Sequence, residues 1–328
     1  LERGALVETD DIKGARGEVF EAPPDELPAL WGHCIARAGR ALHAIQQPNF
    51  KALLDEAVKP LLALVERDPD LAIFQVVRPQ TFGDNGAYGI GHSVYAAAAA
   101  WLVGRRLGWD RQGVERAFQA ALTMNLGMLD LQARLSSQVS PLTALQREAI
   151  HEHPIRSVEM LSAAGVHDHE WLEAVLQHHE TPDGAGYPHG QTDIGELAEM
   201  LRYADVYTAR LSSRANRPAM SAAQAGKELH QIAAQSPLAA ALIKSFGIFP
   251  PGSIVRLATG EVGLVIRNGD KAHRPVISVL TNAAGEPRHS PVVRDSGNED
   301  HAIVALLPAH ASPIRLSDER IAALITGI

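Results

Sequence analysis

The chain has 328 residues, is 46% hydrophobic and 21% charged, and carries a formal net charge of −8. Those values describe an ordinary soluble globular protein and exclude a surface built for a nucleic-acid polymer, although local arginines can still hold a small anion. The lone cysteine, Cys34, excludes an internal disulfide and a thiolate metal cluster, and it fits a reducing, cytoplasmic compartment.

No apolar run approaches the ~20 residues of a membrane helix, so no membrane span is expected. No signal peptide is visible either. The chain opens at Leu1 rather than Met; a processed or truncated form with a further domain upstream is the expectation. Residues 1–24 carry mixed charge and end in Pro23-Pro24, which reads as an arm or linker.

A helical body is expected over 25–249, with N-terminal helices over 25–85 and a core over 86–249. Leu27, Leu30, Trp31, Cys34, Ile35 and Ala38 recur at three- and four-residue steps, the period of a buried helix face. Leu53, Leu54, Val58, Leu61, Leu62 and Val65 continue it, and Asp68-Pro69-Asp70 is a break and a helix start. Further helices are predicted over about 88–107, 111–128, 142–163, 168–180, 194–213, 220–234 and 237–245. After Phe249-Pro250-Pro251-Gly252 the period changes. Short strands are predicted at 254–257, 262–266, 276–280 and 303–306, forming a β module over 250–312, with a tail or last helix over 313–328. The fold class is therefore mainly α, a helical bundle with a small C-terminal β module.

Histidine is the compositional oddity: of fifteen, six lie between His151 and His179. His178 and His179 end a helix whose apolar face is Trp171, Leu172, Val175 and Leu176. Helix neighbours point ~100° apart. The pair then serves two different ions, or one ion and one phosphate contact. The Pro and Gly residues that follow dictate a tight, stiff loop with Tyr187 presented at its tip. Asp205 falls on an apolar stripe with Leu197 and Leu201, a costly place for a carboxylate without a partner or a metal. His92 and His153 lie on similar stripes, whereas His151 points to the other side of its helix, toward solvent. His92, His153, His178, His179 and Asp205 together make a set that suits a metal site inside a helical bundle.

The stretch His178-His179-Glu180, then Asp183-Gly184-x-Gly186-Tyr187-Pro188-x-Gly190, resembles the long motif of the HD-GYP domains. Gly91-His92-Ser93, Leu142-Thr143 with His153-Pro154, and Ala204-Asp205-Val206-Tyr207 resemble further segments of that family, in the same order. Arg214 to Pro218 falls where the family carries a basic stretch, and Pro250 to Leu257 resembles a β extension of some members. The resemblance covers about residues 26–310. It implies a helical bundle holding two or three iron- or manganese-type ions, hydrolysis of cyclic di-GMP, and contact of Arg214, Arg217 and Tyr187 with that ligand.

One segment departs from the pattern. Where the family carries a stretch like LLHDIGK, this chain reads Leu122-Thr123-Met124-Asn125-Leu126-Gly127-Met128. Met124, Asn125 and Met128 replace the family's His, Asp and Lys. A neutral amide is not an anionic bridge between two cations, and a thioether is a poor ligand for such ions. No catalytic residue is assigned. The expectation is a partial site for one iron or manganese ion and no full binuclear centre. The literal dipeptide His167-Asp168 lies in a polar loop and is read as a decoy, and Asp130 is displaced from the ligand position. Three functions follow: a non-catalytic module that binds cyclic di-GMP or docks a diguanylate cyclase-type protein, a phosphodiesterase with an altered metal site, or a structural unit that forms a homodimer.

Overall fold

The computed structural model describes residues 19–78, 87–233, 235–271, 273–288, 290–308 and 317–326. The expected arm lies outside the described residues as far as residue 18, and so do residues 313–316, where the tail was to begin.

Helices α1 (Leu27–His43) and α2 (Phe50–Arg67) pack through Leu27, Trp31, Ala38 and Leu42 on one side and Phe50, Leu54, Val58 and Leu61 on the other. Asp68 starts α3 (Pro69–Val77) by accepting from Leu71 N at 2.9 Å. The hub is α4 (Ala87–Leu107), where Val94 and Ala96 to Ala100 have no exposed surface. A helix that is apolar all round must be surrounded, and α4 packs against α1, α3, α5 (Arg111–Thr123), α6 (Leu129–Ser137), α9 (Glu196–Leu211) and α11 (Pro237–Phe246). Small side chains there let the surrounding helices approach closely.

Helix α7 (Ala144–Ala163) begins with a capping box between Thr143 and Gln146 and leads to α8 (His169–Gln177). Helix α10 (Ala222–Ile232) starts with another, between Ser221 and Gln224. The helix predicted over 111–128 stops at Thr123. Met124 and Asn125 form a turn that leads into one 3₁₀ turn, Leu126–Met128, because this segment docks on α7. Ser157 Oγ donates to Met124 O and accepts from Gly127 N, both at 2.9 Å. That pairs main-chain groups left open at the helix end. A Cβ on Gly127 would stand 2.6 Å from His153 O, so the approach requires glycine. Helix α6, which was not predicted, follows directly.

Strands β1 (Ile254–Leu257), β2 (Val262–Arg267), β3 (Val276–Val279), β4 (Val293–Asp295) and β5 (Ile303–Leu307) form an antiparallel sheet in the order β4-β3-β2-β1-β5. Ile254, Leu264 and Ile266 join the main core, while Val255, Leu257, Val265, Ile277 and Val279 form a second one. β2 is thus covered on both faces. Asn268 ties the sheet to α3 by donating from N (3.2 Å) and Nδ2 (2.8 Å) to Asp70. Strand β4 was missed: it is a short edge with no apolar alternation. Helix α12 (Asp318–Thr326) packs Ile321, Leu324 and Ile325 against α1. The molecule is mainly helical with a small C-terminal antiparallel sheet, as expected. No described helix is long and apolar enough to cross a membrane.

Candidate metal centre and ligand face

Three imidazoles converge. The ring nitrogens of His153, His178 and His179 include one from each residue lying within 4.8 Å of one another. The expectation that His178 and His179 diverge fails because α8 ends at Gln177. His178 caps it, and Glu180 N closes a turn onto Gln177 O at 2.8 Å. With the backbone already leaving the helix, the ~100° rule no longer applies, and the two rings lie 4.1 Å apart by centroid. Trp171 Nε1 donates to Thr123 Oγ1 at 2.9 Å and fixes α8 to the end of α5.

The tautomers follow from the hydrogen bonds. His153 Nδ1 donates to Ile150 O and His178 Nδ1 to Val175 O, each at 2.6 Å. Each Nε2 then carries a lone pair, and these two Nε2 atoms face each other at 3.2 Å. Two acceptors cannot satisfy one another; a shared proton or cation is required. Burial works against the proton: it holds the His153 pKa down at about 3, and the neighbouring His178 acts in the same direction. Burial lowers His178 and His179 as well. Neutral imidazoles whose other nitrogen is held by a carbonyl are the donor set a divalent cation takes, so the residues present fit a metal ion.

His92 and Asp205 form a second group beside the first. His92 Nε2 lies 2.7 Å from Asp205 Oδ1, with side-chain exposures of 1% and 15%. Burial raises the Asp205 pKa, but the hydrogen bond and charge of His92, with His179 and His178 beyond, outweigh it and hold the carboxyl well below its ordinary range. The His92 hydrogen bond is the largest of the influences that keep Asp205 ionised. His92 Nδ1 is buried without a hydrogen-bond partner.

The loop after His179 is built by its own residues. Glu180 is wholly buried and accepts from His189 N (2.8 Å) and Gln191 N (3.0 Å). A Cβ on Gly186 would lie 2.5 Å from Glu180 Cα and His179 O. Gly184 and Gly190 adopt φ of 72° and 68°, the left-handed region that favours glycine. Asp183 accepts from Thr181 Oγ1 and Ala185 N within the loop, and the Tyr187-Pro188 peptide is cis.

Tyr187 is not a tip. Its ring stacks on His179 (4.5 Å, 25°) and on His151 (4.5 Å, 15°), and it meets His153 edge-on at 6.3 Å. Burial raises its phenol pKa above the ordinary range, so the hydroxyl stays protonated. His151, expected merely to be solvated, is exposed but part of this stack. The arginines are engaged too. Arg214 Nε donates to Tyr88 Oη at 2.7 Å, and the Tyr88 ring stacks on His92 at 6.2 Å. Arg217 donates to Ala209 O, and the two residues close a turn through Arg214 N to Arg217 O (2.8 Å) and its reverse (3.0 Å).

Met124 and Asn125 are buried, and Asn125 Nδ2 has no hydrogen-bond partner. Asp168 of the literal His-Asp dipeptide caps α8 through Trp171 N at 3.1 Å and pairs with Arg116 at 2.8 Å. Asp130 is exposed, 3.6 Å from His43. Sequence reasoning missed Tyr88, His151 and Ser157. Tyr88 stands four residues before His92, a helical-neighbour signal; the other two carried none.

Residues 76–238 match the family model for the HD domain. Over 290 residues the chain is 29% identical to the cyclic di-GMP phosphodiesterase PA4108 of Pseudomonas aeruginosa, covering 86% of this chain and 68% of that protein. Over 130 residues it is 28% identical to the cyclic di-GMP phosphodiesterase PdeB of Borreliella burgdorferi, covering 39% of this chain and 34% of that one. Its fold is like that of Bd1817, a HDG"Y"P protein from Bdellovibrio bacteriovorus, with a TM-score of 0.56 and 16% identity over 72% of this chain and 76% of that one. The chain is an HD-domain protein. Within that class it belongs to the HD-GYP family. HD domains bind divalent metals, and the histidine cluster stands where this chain offers donors for one.

Proposed function

We propose that this chain is a degenerate HD-GYP signalling module that binds cyclic di-GMP and does not hydrolyse it. The observation that carries the reading is the pairing of the His153–His178 contact with the buried Asn125. His153, His178 and His179 would hold one iron or manganese ion, with Asp205 and His92 close by. Such a cation supplies positive charge against a phosphate oxygen. A second ion would need an anionic bridge to the first. Asn125 offers a neutral amide and Met124 a thioether in place of that bridge. The relatives are named for cyclic di-GMP, which makes it the ligand to test.

The test has two arms. Incubation with cyclic di-GMP and excess Mn²⁺, or anaerobic Fe²⁺, should return intact nucleotide by chromatography, and calorimetry under the same conditions should register binding. A metal-dependent product that disappears in His178→Ala would overturn the reading in favour of a phosphodiesterase with an altered site, which the three-histidine cluster itself favours. Intact nucleotide without binding would move the function to the exposed side of the GYP loop and a protein partner such as a diguanylate cyclase.

A further inference from the structure

We infer that the exposed ring of His151 is the surface on which a purine base of the ligand stacks. The inference rests on the proposed binding of cyclic di-GMP and deepens it. His151, Tyr187 and His179 form a ladder of nearly parallel rings with centroid spacings of 4.5 Å. Two rings sharing one face of Tyr187 at that spacing would meet each other, and no ring contact between His151 and His179 occurs among the described residues. The two imidazoles therefore take opposite faces of the phenol. Tyr187, the expected ligand contact, has neither face left for a base.

The ladder ends in the histidine cluster on one side and in solvent on the other. His179 is a member of the cluster, and His151 is an exposed residue of α7. A flat, polarisable base extends such a stack by one ring, and every purine has a π-face to offer. The geometry also holds His151 in place before the ligand arrives: the Tyr187 ring covers its inner face and α7 carries its backbone. A ligand that places a phosphodiester toward the cluster and a base on this ladder uses both ends of the same row of rings. A ligand without a base gains only the cluster.

The experiment compares His151→Ala and His151→Phe with the parent chain by calorimetry in Mn²⁺, using cyclic di-GMP and, as a base-free probe, dimethyl phosphate. Alanine favours a helix and the site is exposed, so both variants should fold, which circular dichroism checks. His151→Ala is expected to weaken cyclic di-GMP binding roughly five- to hundredfold, the effect of one lost base–aromatic stack. His151→Phe should stay within about threefold of the parent, a difference under about 0.7 kcal/mol. Binding of dimethyl phosphate should not change in either. If cyclic di-GMP binds equally well or more tightly to His151→Ala while Arg214→Ala weakens it, the stacking role is wrong and the binding reading stands. If the parent chain binds no cyclic di-GMP, the reading and the stacking role fall together.

Discussion

Two segments meet helix α7 at His153, and they do so by different means. The Met124–Met128 turn docks through its backbone, with Ser157 pairing Met124 O and Gly127 N and Gly127 pressed against His153 O. The loop from Glu180 to Gly190 docks through a side chain, the Tyr187 ring against His151 and His153, while its buried Glu180 carboxylate holds the loop closed on itself. The difference teaches which chemistry the fold protects. In the loop, exchanging a motif residue breaks the loop itself. In the turn, the side chains of Met124 and Asn125 can change while the docking stays, at the cost of one unpartnered amide of roughly 1–3 kcal/mol. The side chains at the turn are therefore separable from the fold, and Gly186 and Glu180 of the loop are not.

The sharpest way to break that comparison is to rewrite the turn. Met124→His with Asn125→Asp should leave the fold intact and raise metal-dependent release of product from cyclic di-GMP at least about a hundredfold above the parent. That is the scale of several kcal/mol of charge stabilisation. Chromatography of the reaction reads it. A parent chain that already turns over, with little gain from the restored pair, would mean the turn never mattered.

Removing a donor from the other side is next in size. His178→Ala should lower Mn²⁺ affinity at least about a hundredfold, since even partners that only orient a metal ligand cost 10–100-fold. Metal titration followed by calorimetry measures it. Asn125→Ala should change the same affinity far less, because the proposed ion is held by the three imidazoles.

The contrast in stability is smaller. Gly186→Ala puts a carbon 2.5 Å from three backbone atoms and should destabilise the chain by roughly 1–3 kcal/mol. Met124→Leu, a near-isosteric apolar exchange, should cost less than about 1.5 kcal/mol. Urea unfolding of both variants gives the difference directly.

Much of this was legible in the residues. The helical periods of α1, α2 and α4 follow from apolar spacing. The GYP loop was legible because its glycines, proline and acid are each required by local backbone geometry. The convergence of His178 with His179 was misread, since the end of α8 at Gln177 depends on the turn that follows. The short helix α6 and the edge strand β4 were missed because neither has a distinct apolar period. His151 and Ser157 were invisible for another reason: each acquires its partner from a segment distant in sequence, Tyr187 in one case and the Met124–Gly127 turn in the other.

The smallest predicted effect tests whether the written dipeptide has any share in the chemistry. His167-Asp168 spells the family's pair, yet Asp168 is spent on Trp171 N and on Arg116. Asp168→Ala should cost about 1 kcal/mol, the usual worth of an N-cap. Asp168→Asn keeps an acceptor for the cap and loses only the ion pair, so it should cost less, under about 1 kcal/mol for a partly exposed pair. The pH dependence has a definite sign. Burial raises the Asp168 pKa, but the hydrogen bonds from Arg116 and Trp171 outweigh it, and the folded value lies below the ordinary 3.8. Its contribution is therefore present above that pH and lost as pH falls through the lower folded value. Unfolding midpoints of parent and Asp168→Asn should thus differ at neutral pH and converge in acid, while Mn²⁺ affinity at neutral pH stays the same in both. A fall in Mn²⁺ affinity in Asp168→Asn would return this dipeptide to the metal site and reverse the comparison between the two segments on α7.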